Sequence, residues 1–266
     1  GPQYVIKQKI TDLIGAENTL EFYKAYQSNG ITKKDIDSLA AWGFNSIRLP
    51  MHYNLYTLPI EKETVSGQNT WLEEGFKMTD DLLNWCAANK MYLILDLHGA
   101  PGGQGHDANI SDYDSSKPSL WESAANQDKI VAFWKQLAKR YKDNPWIGGY
   151  DIINEPNWNF DGKNVNGCDE TANIPLRNLE IRITKAIREV DTNHLIIIEG
   201  NCWGNNYNGI FPIWDENMAL SFHKYWNQND VGSIQKFLDY RKQYNVPIWL
   251  GETGENSNVW FKEVIT

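Results

Sequence analysis

Short, nearly continuous runs of hydrophobic residues recur along the chain, each only a few residues long. Runs of this kind are typical of strands that are buried on both faces of a parallel sheet. The pattern predicts six strands, at residues 44–49, 91–97, 148–153, 194–199, 218–223 and 246–251.

Between most of these strands, apolar residues recur at helical spacing. Thr32 is a predicted helix N-cap and Gly43 a predicted stop before the first strand. Asn126 and Pro175 are the predicted first residues of two further helices. Alternating strands and helices indicate right-handed crossovers and a parallel sheet.

The lengths of the loops distinguish between two parallel-sheet architectures, a doubly wound sheet and a barrel. Loops that follow strands are long and rich in Gly, Asn, Asp and Trp, at 99–123, 156–174 and 201–216, whereas connections from helix to strand are short. A barrel builds its site on loops of the first kind. No G-x-G-x-x-G follows a strand, which removes the main support for a dinucleotide-binding fold. We therefore expect an α/β fold, a (β/α)8 TIM barrel, as one catalytic domain over residues 1–266.

Polar residues terminate five of the apolar runs, and the carboxyl ends of parallel strands meet at one mouth. Each residue alone has an ordinary explanation, such as a rim arginine, a hydrogen-bonded histidine or a helix-capping glutamate. Their coincidence at one end of the barrel favours a shared site. The residues are Arg48, His98, Asn154 with Glu155, His223 with Tyr225, and Glu252.

Two carboxylates in one mouth suggest acid/base and nucleophilic chemistry. Glycoside hydrolysis needs such a pair, and in retaining enzymes the two groups lie about 5–5.5 Å apart. One carboxyl of such a pair starts protonated, with its pKa raised by the negative charge of the other. Arg48 and Tyr225 would keep Glu252 ionised, and Asn154 is placed to donate a hydrogen bond to a sugar 2-hydroxyl.

Composition narrows the class of ligand. The net charge of −9 argues against nucleic acid or an anionic membrane as a partner and suits a neutral ligand. The chain has 12 Trp and 13 Tyr, more than a core of this size requires, and sugar rings pack on aromatic faces. Four aromatic residues follow the strands where loops face the cleft and are predicted sugar platforms: Trp158, Trp203, Tyr207 and Trp226.

The three cysteines form no C-x-x-C motif, so a zinc or redox site is not indicated. Cys86 lies in a helical pattern and is expected in the core. Cys168 and Cys202 lie in loops and could pair. No apolar segment approaches the roughly 18 residues of a membrane span.

Five stretches, in this order along the chain, resemble glycoside hydrolase family 5, in the clan of β-glycosidase barrels. They are Ile47-Arg48-Leu49-Pro50, Leu95-Asp96-Leu97-His98-Gly99-Ala100-Pro101-Gly102-Gly103-Gln104, Ile153-Asn154-Glu155-Pro156, Ser221-Phe222-His223-Lys224-Tyr225 and Trp249-Leu250-Gly251-Glu252-Thr253-Gly254. The resemblance implies that Glu155 is the acid/base and Glu252 the nucleophile. Glu155 would then start protonated, with its pKa raised by the negative charge of Glu252. It implies positioning of substrate or carboxylate by Arg48, His98, Asn154, His223 and Tyr225. It also implies activity on β-linked polysaccharides without cofactor or metal.

Two strands of such a barrel are not evident in the sequence. Residues 6–14 and 17–27 have helical patterns instead of a first strand, and no eighth strand follows Glu252. We expect a catalytic domain that is truncated at both ends. The gap between the first and last predicted strands would be empty, repacked or filled by a second polypeptide.

The sequence therefore predicts a retaining endo-β-1,4-glucanase that acts on β-glucan and is secreted or displayed at the cell surface. An exo-β-1,3-glucanase or β-glucosidase of the same fold is the nearest alternative. A metal-dependent sugar isomerase would use His98, Glu155, His223 and Glu252 as ligands, although Arg48 would repel the cation. The non-enzymatic alternative is a sugar-binding barrel fragment with impaired catalysis.

Overall fold

The computed structural model describes residues 1–254 and 257–266, and its centre is one sheet of six parallel strands. All six predicted strands are present, and they neighbour one another in chain order. They are β1 (Ser46–His52), β2 (Tyr92–Gly99), β3 (Ile147–Asp151), β4 (Leu195–Glu199), β5 (Met218–Lys224) and β6 (Ile248–Thr253). The sheet curls into a half-barrel, so it forms part of the (β/α)8 architecture.

Helices connect the strands and cover the outer face of the sheet. They are α1 (Gln3–Ile14), α2 (Ala16–Gly30), α3 (Lys33–Ala41), α4 (Glu73–Ala88), α5 (Ala108–Ser111), α6 (Ala124–Tyr141), α7 (Ile174–Arg188), the single turn α8 (Asn201–Gly204), α9 (Gln235–Tyr244) and α10 (Asn258–Ile265). Apolar side chains of α4, α6 and α7, such as Phe76, Phe133 and Ile183, are buried against the strands. Full burial of each such side chain contributes about 1.5–3 kcal/mol.

The first residues of three helices show how well local sequence signals predicted where a helix begins. Thr32 caps α3 in a capping box with Asp35, as predicted. The helix predicted from Asn126 begins two residues earlier, because the Ser123 hydroxyl accepts a hydrogen bond from the Asn126 N–H at 3.2 Å and is the cap. Pro175 lies in the first turn of α7, which begins at Ile174.

Alternate residues of each strand point to the same face of the sheet, and on the inner face several of them are polar. The register pairs Asp96 of β2 directly with Asp151 of β3, and His223 of β5 with Glu252 of β6. Arg48 lies on the same face of β1, two residues before the partner of Asp96. Polar groups from five strands therefore meet on the concave side.

The outer strands differ from the inner ones in burial. Every residue of β5 is buried, whereas every residue of β6 is only half-buried, and β1 is mostly half-buried or exposed. Among the described residues no strand pairs with the outer edge of β1 or β6, and residues 6–14 and 17–27 are helical as predicted. The sheet thus has two open edges, each with unpaired backbone groups.

Large apolar side chains are exposed on the helices at both ends of the chain. Leu13 is 83% exposed, Leu20 66%, Tyr26 64% and Ile265 78%. Exposure of this kind marks surfaces that pack against another polypeptide or cause association. Within the described residues, no helix combines the length and apolar character that crossing a membrane requires.

A chain of this sequence should associate in solution, because both sheet edges and the apolar helix surfaces are open. Size-exclusion chromatography with light scattering over a range of concentrations measures the molar mass directly. A particle that stays monomeric at the highest concentration would contradict this expectation.

Candidate active site

The guanidinium of Arg48 is the centre of the polar cluster on the concave face. Its side chain is only 10% exposed. Nη2 donates to Asn154 Oδ1 at 2.8 Å and to Glu199 Oε1 at 3.0 Å, and Nη1 pairs with Glu252. One side chain of β1 therefore holds groups from the ends of β3, β4 and β6.

Two fully buried carboxyls lie under this guanidinium. Arg48 Nε donates to Asp151 Oδ2 at 2.9 Å, and Nη1 lies 3.2 Å from Asp96 Oδ2. Burial raises the pKa of Asp96, and raises that of Asp151 well above the usual value, despite the neighbouring cation. One oxygen of each carboxyl lacks a hydrogen-bond partner among the described residues. Protonation of these carboxyls lowers the charge that one guanidinium must balance.

Glu252 is held ionised. Burial opposes its charge, but His223, Arg48 and Tyr225 outweigh burial and lower the pKa of its carboxyl. The Tyr225 hydroxyl donates to Oε2 at 2.7 Å. The predicted contacts of Arg48 and Tyr225 with this carboxylate are thus both present.

Glu155 has the opposite protonation tendency. It is 5% exposed, and burial raises the pKa of its carboxyl, an effect that His223 partly offsets. Glu252 also raises this pKa, as the sequence predicted, but it contributes less than burial and less than Glu199. The direction of the shift agrees with the expectation.

His223 lies between the two carboxyls. Its Nδ1 is 2.6 Å from Glu155 Oε1 and 3.6 Å from Glu252 Oε2. An oxygen of Glu155 and an oxygen of Glu252 lie within 4.8 Å of each other. Burial opposes the imidazolium, but the surrounding carboxylates, Glu199 foremost, raise the pKa of His223 well above its usual value.

His98 and Asn154 line the other side of Glu252. The Nδ1 atom of His98 lies 2.9 Å from Asp96 Oδ2 and 3.8 Å from Glu252 Oε1. Its Nε2 is 3.4 Å from Asn154 Nδ2. Gln104, in the loop after β2, donates through Nε2 to the carbonyl oxygens of both His98 and Asn154, at 2.7 and 2.8 Å. That buried amide fixes two strand ends together.

The four predicted sugar platforms do not behave alike. Tyr207 is wrong as a platform: it is 1% exposed, and its hydroxyl donates to the carbonyls of Ile198 and Ser221, so it belongs to the core. Trp158 is 8% exposed because His106 stacks on its ring at 4.0 Å, which covers one face.

The other two predicted platforms remain accessible. Trp226 is 75% exposed, directly after Tyr225. Trp203 is half-buried in α8, in a left-handed backbone conformation with φ of 54°. The backbone N–H of Trp203 donates to the Pro156 carbonyl at 3.0 Å, which links α8 to the loop after β3.

A disulfide joins Cys168 to Cys202, the pairing that the sequence left open. It links the loop after β3 to α8 after β4, beside Trp203. Such a bond lowers the entropy of the unfolded chain, and it typically raises the free energy of unfolding by about 2–4 kcal/mol. Cys86 is a free, buried thiol, as expected.

Sequence reasoning missed Glu199, Asp96 and Asp151, all fully buried around Arg48. Glu199 ends β4 in the same way as the residues that were selected, so the rule of polar strand ends applied to it. Asp96 and Asp151 carried a different signal, an acidic residue within or closing an apolar strand.

In the part of the chain that the structure describes, two groups of three side chains have the geometry to hold a metal ion: Asp96, His98 and Glu252, and Glu155, His223 and Glu252. Both depend on Glu252, whose two oxygens already receive Arg48 and Tyr225. A cation would have to share that carboxylate with a guanidinium, which Coulomb repulsion disfavours.

The sequence matches one protein family and is similar to enzymes that cleave glycosidic bonds. Residues 6–264 match the family described as cellulase (glycosyl hydrolase family 5). A β-xylosidase of Phanerodontia chrysosporium is 30% identical over 228 residues, which are 85% of this chain and 44% of that protein. Endoglucanase C of Acetivibrio thermocellus is 30% identical over 77% of this chain and 53% of its own length.

Similarity also extends to a third enzyme and to solved structures. A probable glucan 1,3-beta-glucosidase A of Aspergillus fumigatus is 24% identical over 95% of this chain and 58% of that protein. The chain thus spans about half the length of these relatives. The structure of Pseudomonas stutzeri endoglucanase Cel5A superposes with a TM-score of 0.65 at 21% identity, over 88% of this chain and 71% of that one. It supports the fold.

The opposite influences on Glu155 make its titration a test of the site. Glu252→Gln should lower the pKa of Glu155, because a negative neighbour is removed. His223→Asn should raise it, because a cationic hydrogen-bond donor is removed. NMR of 13C-labelled glutamate carboxyls, assigned with Glu155→Gln, reports both shifts. Identical titration of Glu155 in all backgrounds would disprove the coupling.

Proposed function

The chain belongs to the cellulase family, glycosyl hydrolase family 5, and we propose that it carries the site of a retaining β-glycosidase. Glu155 is the acid/base and Glu252 the nucleophile. The observation that carries the proposal is the pair itself: one oxygen of Glu155 lies within 4.8 Å of one oxygen of Glu252, and the pKa of the first carboxyl is raised while that of the second is lowered. Retaining enzymes have a separation of about 5–5.5 Å, whereas inverting enzymes need about 6.5–9.5 Å to admit a water.

The reaction proceeds in two displacements. A Glu252 oxygen attacks the anomeric carbon while the Glu155 proton passes to the departing glycosidic oxygen, which leaves a glycosyl ester and an ionised Glu155. A water then gives its proton to Glu155 as its oxygen attacks the same carbon, which releases Glu252 and the sugar with its configuration retained.

The surrounding residues have separate roles. Arg48 and Tyr225 orient Glu252 and keep it ionised. His223 donates to Glu155 and stabilises the carboxylate that forms when the proton leaves. In this proposal Asn154 and His98 contact the sugar bound next to Glu252, and Asn154 Nδ2 donates to its 2-hydroxyl.

The substrate proposed is β-glucan, cleaved internally at β-1,4 bonds. A net charge of −9 suits a neutral polysaccharide, and Trp226 and Trp203 offer aromatic surface beside the site. Similarity to endoglucanase C supports this specificity. Similarity to a glucan 1,3-beta-glucosidase over 95% of the chain favours a second candidate, exo-acting cleavage of β-1,3-glucan.

Two further features belong to this proposal. The open edges of β1 and β6 suit additional polypeptide that completes the barrel and covers the exposed apolar helices. The disulfide between Cys168 and Cys202 favours an oxidising compartment, and hence a secreted or cell-surface protein.

Hydrolysis of soluble β-1,4-, β-1,3- and mixed-linkage glucans, followed by proton NMR during the first turnovers, tests the function. We expect the β-anomer as first product. Internal cleavage of β-1,4-glucan would give mixed oligosaccharides, and exo action on β-1,3-glucan would give glucose alone. Glu155→Gln and Glu252→Gln should each abolish turnover. An α-anomer, or binding without hydrolysis, would contradict the assignment.

Trp226 should contribute to polymer binding. Trp226→Ala should weaken binding of soluble glucan about tenfold, since an aromatic contact adds ~0.5–1.5 kcal/mol beyond its buried area. Trp42→Ala is a matched control, because Trp42 is equally exposed (74%) but lies at the end of α3, before β1. Affinity electrophoresis compares the two variants, and equal affinities would contradict the role of Trp226.

A further inference from the structure

Glu199 contacts three parts of the site at once, although no solvent reaches it. It ends β4 and is 0% exposed. One oxygen, Oε2, accepts a hydrogen bond from the Glu155 backbone N–H at 2.7 Å. The other, Oε1, accepts from Arg48 Nη2 at 3.0 Å and lies 3.1 Å from His223 Nε2.

The first of these contacts supports an unusual backbone. Glu155 has φ of 43°, in the left-handed region that residues with a side chain rarely adopt. Such a conformation persists only where the surroundings stabilise it. The hydrogen bond from the Glu155 N–H to a buried carboxylate is charge-assisted and short, so it stabilises the turn that aims the Glu155 side chain at His223.

The contact between Glu199 Oε1 and His223 Nε2 places a negative charge beside the imidazole ring. Burial raises the pKa of Glu199, but His223, Arg48 and the Glu155 N–H together lower it to about 2, so this carboxyl is ionised. An ionised group behind Nε2 favours the imidazolium, whose Nδ1–H donates to Glu155. Among the described residues, the charged or titratable groups that face His223 or Glu199 are Arg48 on β1, Asp96 on β2, Asp151 and Glu155 at β3, Glu180 on α7, Tyr207 in the loop after α8, and Glu252 on β6.

We propose that Glu199 is a positioning residue for the acid/base, which holds the Glu155 backbone through its N–H and keeps His223 cationic through its charge. The proposal rests on the assignment of Glu155 as acid/base. When Glu155 gives up its proton, the imidazolium donates to the carboxylate that forms. Without the charge of Glu199, His223 would lose its proton more readily and this support would weaken.

Glu199→Gln separates the charge of this side chain from its shape. The amide keeps an oxygen for the Glu155 N–H but carries no charge. NMR of 15N-labelled histidine should show that His223 loses its proton at lower pH than in the unsubstituted protein. Glu180→Gln is the matched control: Glu180 is also fully buried near Glu199, but burial raises the pKa of its carboxyl well above the usual value, so the amide replaces a group that already favours its neutral form. This control should leave the His223 titration unchanged.

Kinetics with two leaving groups tests the positioning itself. Aryl β-glycosides with an unactivated phenol need a proton from Glu155, whereas dinitrophenyl glycosides do not. Glu199→Gln should slow the first by about 100-fold, within the range of general acid catalysis, and the second far less. Glu199→Asp retains the charge but withdraws it by one methylene. It should keep the His223 titration near the original while the phenyl substrate is still slowed.

The titration and the leaving-group kinetics together decide whether Glu199 positions the acid/base. An unchanged His223 titration in Glu199→Gln, or equal slowing of both substrates in both variants, would overturn the proposal. If Glu199→Gln does not fold, the leaving-group comparison in Glu199→Asp decides. If the unsubstituted protein turns over neither glycoside, the proposed function fails, and the histidine titrations still decide whether Glu199 sets the charge of His223.

Discussion

One buried guanidinium organises the concave face of this protein. Arg48 has contacts with carboxyls of four other strands and with Asn154, while its own side chain is almost inaccessible. Removing one partner from a buried ionic cluster leaves an uncompensated charge, which costs about 3–5 kcal/mol. The strand ends therefore cannot shift independently, and the distance between Glu155 and Glu252 depends on an arginine that is not itself one of the pair.

The same cluster produces two different carboxyls, one on a buried residue and one on a half-buried residue. Glu252 faces Arg48, Tyr225 and His223, so its charge is favoured even though burial opposes it. Glu155 lacks a direct contact with Arg48 among the described hydrogen bonds and receives His223 alone, so burial dominates. The asymmetry of neighbours, rather than repulsion between the two groups, separates their pKa values. Asp96 and Asp151 complete the charge balance by favouring the neutral form.

The loops above this cluster are held by polar and covalent links instead of regular structure. Gln104 joins the ends of β2 and β3, and the disulfide joins the loops after β3 and β4. These links lie along consecutive strands, because the sheet order follows the chain order. Among the described residues the two outer strands have a neighbouring strand on one side only, and they are the least buried part of the sheet.

The sequence by itself determined the number and order of the strands, the helix capped by Thr32 and the polar strand ends, because periodicity and strand termini are local properties. Placement of Arg48 beside Glu252 followed from the expectation of a barrel, because β1 and β6 are the two outer strands and only the curl of the sheet brings them together. Only the tertiary structure decided which neighbours each group meets. Tyr207 and Trp226 lie in loops of similar composition, yet one hydroxyl is buried against two carbonyls while the other ring faces solvent. The cause of the Glu155 pKa shift, the left-handed turn held by Glu199 and the pairing of Cys168 with Cys202 all depend on distances between strands, which a linear pattern does not encode.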